Sequence, residues 1–156
     1  MGIARNRSRG SVILAAALAL ASSVLIRASA KEATTEELKA RLSSASIGDR
    51  PQLCLQIAER QLDAADKLYA AVESEKAQAT LTDVVAFSEL ARDYSIQSKK
   101  HQKQTEIAVR RMARKLSDIK HAVAHDEQPA VQDAINKLER VRDDLLLAMF
   151  PKKGDK

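Results

Sequence analysis

The sequence predicts an all-α protein preceded by a signal peptide, and three observations carry that prediction. No glycine or proline stands between Pro51 and Pro129, and alanine, leucine, glutamate, glutamine, lysine and arginine dominate the stretch, as in long helices rather than sheets. Apolar positions recur there at alternating spacings of three and four, the rhythm of a helical seam or coiled coil. Ahead of it, residues 1–30 have the build of an export leader. The expected architecture is antiparallel helical hairpins with three main helices. The central one is long, about 75–124, and residues 50–72 and 128–149 each pack on one half of it. The alternative is a break near 97–104, which turns the same seams into a compact four-helix bundle.

In the leader, Arg5, Arg7 and Arg9 form a basic start, Val12 to Ile26 is apolar, and Ala28-Ser29-Ala30 supplies the small-x-small site that signal peptidase accepts before Lys31. The apolar run is about 15 residues, short of the roughly 20 that span a bilayer, so cleavage is expected over an uncleaved N-terminal anchor. No Arg-Arg pair precedes the run, which favours the general secretory route, and no cysteine stands directly after the cut to carry a lipid. The expected location is periplasmic or extracellular. Residues 31–48 then read as a short helix and linker, 49–150 as the helical domain and 151–156 as a flexible tail.

Each element has a local reason. Thr34 with Glu37 is a capping box that starts a short helix, closed by the serines at 43, 44 and 46 and by Gly48. Asp49 is the expected N-cap of the next helix, with Pro51 in its first turn, where a missing amide hydrogen costs nothing. Leu55, Ala58, Leu62, Ala65, Tyr69 and Val72 make its seam, and a turn is expected within 71–75. From Ala77 through Leu81, Val84, Ser88, Ala91, Ser95, Ser98, Gln102, Thr105, Val109, Met112, Leu116 and Ile119 to Val123 the rhythm never slips, which favours one continuous helix of about 75 Å. Asp126 is the expected cap after a turn at 125–128, Pro129 opens the last helix, and Val131, Ala134, Leu138, Val141, Leu145 and Ala148 form its seam before Pro151.

The stretch around Ala65, Tyr69, Ala77 and Leu81 resembles a single tetratricopeptide hairpin over about 30 residues, with Glu73 at the turn glycine and a Tyr-to-Ala spacing one short. A solenoid needs at least three such repeats, so the resemblance implies a helical hairpin and no function.

Charge separates once the leader is set aside. The chain holds 26 basic and 21 acidic residues, but four arginines and no acid fall in residues 1–30, so the remainder is nearly balanced. With only four aromatic residues and no tryptophan, nucleic acid is not an expected partner. Residues 49–96 carry nine acids and five bases, whereas 97–121 carry eight bases and two acids. Lys99, Lys100, Lys103, Arg110, Arg111, Arg114 and Lys115 are therefore a candidate face for an anionic envelope component, or else a solvated face matched by Asp133, Glu139, Asp143 and Asp144 on the next helix. Asp118, His121 and His125 share a face if the helix runs on, and could bind Zn²⁺ or another divalent ion. Histidines near a helix C-terminus also suit its dipole without any metal.

Cys54 is the lone cysteine and reads as a small core side chain, an intermolecular disulfide being the alternative. There is no phosphate loop, nucleophile elbow, Cys-x-x-Cys or His-Glu-x-x-His, and the acid pairs Asp63/Asp66 and Asp143/Asp144 read as surface ion-pair residues. The expectation is a non-enzymatic, cofactor-free interaction or scaffold module that meets a protein partner or itself. A ligand- or metal-binding bundle and an envelope-associated protein are the alternatives.

Overall fold

The computed structural model describes residues 33–151. Among them the chain is all-helical, with five helices and no strand: α1 (Thr35–Ser44), α2 (Arg50–Ala70), α3 (Ser74–Ser98), α4 (Gln102–Ala122) and α5 (Gln128–Met149). The leader and its cut at Ala28, Ala30 and Lys31 lie outside the described residues, as do residues 152–156 of the tail.

The helix starts follow the sequence only in part. At α1 the capping box forms in both directions: the Thr34 amide donates to Glu37 Oε2 at 2.7 Å and the Glu37 amide donates to Thr34 Oγ1 at 3.2 Å. Asp49 sits at the N-cap of α2 but caps no amide, because its carboxylate accepts the Ser46 hydroxyl at 2.7 Å. At α5 the cap position is Glu127 rather than Asp126. The longer Glu127 side chain accepts the Ala124 amide at 3.3 Å and the Ser74 hydroxyl, tying the α4–α5 turn to the start of α3.

The α2–α3 turn closes without glycine. Glu73 donates its amide to Leu68 O at 2.9 Å and Val72 donates to Tyr69 O at 3.0 Å, the paired bonds of a Schellman ending. That ending needs a left-handed residue, and Val72 takes it at φ 60, with its side chain exposed. Val72 therefore leaves the seam it was expected to extend, and Ala148 is likewise exposed.

The continuous helix expected over 75–124 does not form. α3 ends at Ser98 and α4 begins at Gln102, with Lys99 at φ 56 and His101 at φ 62. A left-handed conformation costs a non-glycine residue roughly 1–2 kcal/mol. Folding back outweighs that cost, because a straight helix would leave each half of its seam with a single neighbour. The reversal instead lets α2, α3, α4 and α5 share one core that includes Leu62, Leu81, Val84, Met112, Leu116 and Leu138.

Packing is closest between α2 and α3 and between α4 and α5, while α3 also meets α5 and α4, and α2 meets α4. Ion pairs across α2 and α4 advance together, Glu59 with Arg111 and Asp63 with Lys115, so these two helices run the same way. Ser74 with Glu127 and Arg92 with Asp144 set the same sense for α3 and α5. The central position of α3 follows from its narrow stripe, where Ala77, Ser88, Ala91 and Ser95 are wholly buried. The two serines keep their hydroxyls satisfied on their own helix, Ser88 on Val84 O at 2.7 Å and Ser95 on Arg92 O at 2.9 Å. α1 covers one edge of α2, where Leu38 is buried with Leu53 and Ile57 against Phe87.

Candidate functional site

The seven basic residues of the expected anion-binding face separate into two groups. Lys99 and Lys100 lie in the α3–α4 turn and Lys103 in the first turn of α4. Along α4, Lys103, Ile107, Arg110 and Arg114 then follow one outward stripe, as spacings of four, three and four require. Lys99, Lys100, Lys103 and Arg114 make no ion pair among the described residues, the Lys100 side chain lying over Gly48, and Ile107 is 40% exposed.

Arg111 and Lys115 face the other way, onto α2. Arg111 pairs with Glu59, and Lys115 Nζ lies 2.6 Å from Asp63 and 3.4 Å from Asp66. The hydrogen bond to Asp63 raises the Lys115 pKa, against a smaller opposing effect of burial. The matching acids thus come from α2, not from α5 as expected. On α5, Asp144 pairs with Arg92 at 2.8 Å and Asp133 with Lys137 at 2.7 Å. Arg110 stands between the groups, 3.7 Å from Glu106.

Glu106 escaped the sequence reading. It is 7% exposed, and its carboxylate accepts from Arg142 Nε at 2.9 Å. The available signal was width: Thr105, Ala108 and Val109 are buried around it, and a stripe that broad at a helix start takes in position 106 as well.

Asp118 and His121 are exposed on α4, but His125 lies beyond its end, where Val123 turns the chain out at φ −84 and ψ 162. The shared helical face expected of the three therefore stops at Ala122. Among the described residues no three His, Cys, Asp or Glu side chains gather where they could hold a metal ion. Cys54 is wholly buried, and burial pushes its thiol up to about 11 against the lowering influence of Arg50. A groove between α3 and α5 is lined by Thr82, Glu89, Asp133 and Lys137, and it continues to Arg92 and Asp144.

No family model, curated protein or solved structure matches the chain. The single-copy tetratricopeptide resemblance has no family match behind it. No helix among the described residues is long and apolar enough to cross a membrane. Chemically, the arrangement offers an outward row of cations around an exposed isoleucine. Such a row can attract anions over a distance of about 8–10 Å at physiological salt.

Proposed function

We propose that this chain is an exported, non-enzymatic interaction module. It is an up-down four-helix bundle of two antiparallel hairpins, α2–α3 and α4–α5, that presents the outward face of α4 to a partner and self-associates. The observation that carries this reading is the unequal fate of the basic residues. Arg111 and Lys115 are matched by acids on α2, whereas Lys99, Lys100, Lys103 and Arg114 make no ion pair among the described residues, and Lys103 and Arg114 flank exposed Ile107 along α4. Cations without a counter-charge in the fold keep their field available to an anionic group on another molecule. Export rests on the leader, with its cut before Lys31.

Size-exclusion chromatography with light scattering tests self-association, and intact mass of the exported protein tests the leader. The expected results are a dimer population that grows with concentration and a chain that starts at Lys31. A strict monomer at high concentration rejects self-association, and full-length material confined to the cytosol rejects export.

The unmatched lysines also favour a second reading, in which the partner is an anionic polymer or lipid of the cell envelope.

A further inference from the structure

The three turns that connect the four main helices differ in one respect. Across 71–73 the buried rhythm slips, since Tyr69 and Ala77 are not joined by threes and fours that keep the α2 phase. Across 123–127 it slips again between Ile119 and Val131, and Pro129 forbids a continuous helix there. Across 99–101 it does not slip. Ala77, Leu81, Val84, Ser88, Ala91 and Ser95 are buried on α3, and Thr105, Val109, Met112, Leu116 and Ile119 are buried on α4. The half-buried Ser98 and Gln102 complete one uninterrupted 4-3 series between them.

Residues 74–122 also contain no glycine or proline. The closed turn holds Lys99 and His101 left-handed, a conformation both lose on joining a helix. Among the described residues, a hydrogen bond between Gln52 Nε2 and His101 Nδ1, 3.3 Å apart, ties this turn to α2, and the Lys100 side chain lies over Gly48 just ahead of that helix.

We propose that the 99–101 turn is a hinge through which two copies of this chain exchange their α4–α5 hairpins, α3 and α4 of each copy joining into one helix over 74–122. This specifies the self-association proposed above and rests on that reading. Each α4–α5 hairpin then docks on the α2–α3 hairpin of the second copy. It remakes the same buried core and the same Glu59–Arg111, Asp63–Lys115 and Arg92–Asp144 pairs between chains. The occupant of the opened surface is therefore fixed: only another copy carries a hairpin of that shape and charge. A short hinge under backbone strain, with a register that survives straightening, is the condition under which such exchange is favoured.

The test uses two purified variants, E59C and R111C, each made with Cys54→Ala so that no native thiol remains. They are mixed, partly unfolded, refolded together under reducing conditions, separated by size and then oxidised. The expected result is a mixed E59C–R111C disulfide confined to the dimer fraction and absent when either variant is refolded alone. K99G/H101G relieves the closed turn and weakens the straight helix, so it should lower the dimer-to-monomer ratio at least about tenfold. K99A/H101A should raise it. A dimer without the mixed disulfide, when the same bond closes within the monomer of an E59C/R111C double variant, or a dimer indifferent to K99G/H101G, overturns hairpin exchange and leaves self-association standing. Monomer alone in every condition overturns both.

Discussion

Val72 is the clearest single position at which this chain departs from local preference. It holds the left-handed residue of a Schellman ending, with a branched side chain that is 84% exposed. Val72→Gly loses no packing and removes the strain, so it should stabilise the fold by about 1 kcal/mol and raise the melting temperature by about 4 °C. A lower melting temperature would show that the side chain contributes something the turn geometry does not. Cys54 sets a second expectation. Its ordinary pKa of 9.0 is pushed up to about 11 in the fold, so the folded state favours the neutral thiol. Stability from that preference is complete below pH 9 and is lost as pH rises from 9 to 11, by at most about 3 kcal/mol. Tyr69, raised by burial and then by Glu127, and Lys115, raised by Asp63, act in the same direction. Urea unfolding at pH 7, 9 and 11 should show a plateau and then a fall, shallower in Cys54→Ala. An equally steep fall in that variant would remove Cys54 as a cause.

At the scale of the helices, α3 and α5 are built on one pattern. The buried spacing of Leu81, Val84, Val85, Ser88, Ala91 and Ser95 recurs as Val131, Ala134, Ile135, Leu138, Val141 and Leu145. Asp83, Glu89, Arg92 and Asp93 recur as Asp133, Glu139, Arg142 and Asp143. The difference is bulk: small side chains let α3 sit between its neighbours, and leucines let α5 fill from outside. Arg92 and Arg142 use the same register for different partners, Asp144 on α5 and Glu106 on α4. The Glu106–Arg142 pair is unequal, since the carboxylate is buried and the arginine is 38% exposed. Arg142→Ala should cost about 2 kcal/mol, because it leaves the buried carboxylate with only the longer pair to Arg110, and Glu106→Leu less than about 1, because Arg142 can turn to water. Equal losses on denaturant unfolding would contradict that asymmetry. The seams of these helices were legible in the sequence almost residue by residue, from Leu55 to Leu145, because burial on a helix obeys a fixed period. Glu106 was not, since a buried charge is tolerable only when a partner from another helix arrives.

At the scale of the whole molecule, the two sets of cations predict separable behaviours. Reversing Lys99, Lys100, Lys103 and Arg114 to Glu should weaken binding to anionic vesicles or polymer more than about a hundredfold with little loss of stability. Reversing Arg111 and Lys115 should instead lower the melting temperature, because it sets like charges against Glu59, Asp63 and Asp66. Co-sedimentation and thermal melts of the two variants measure this directly. Equal effects of both variants on binding would mean that net charge, not the outward face of α4, governs the interaction.

By itself the sequence determined the helical class, the seam residues other than Val72 and Ala148, the capping box at Thr34 and the span 128–149 of the last helix. All of these follow from periodicity and from bonds between near neighbours. Only the tertiary structure decided that the central segment folds back at 99–101, that α2 rather than α5 neutralises Arg111 and Lys115, and that His125 leaves the face of Asp118 and His121. The reason is common to all three. A heptad count follows position around one axis, and three residues that reverse the chain can return the stripe to the same phase. Charge matching and ligand geometry depend on distances between segments far apart in the chain, which no local pattern encodes.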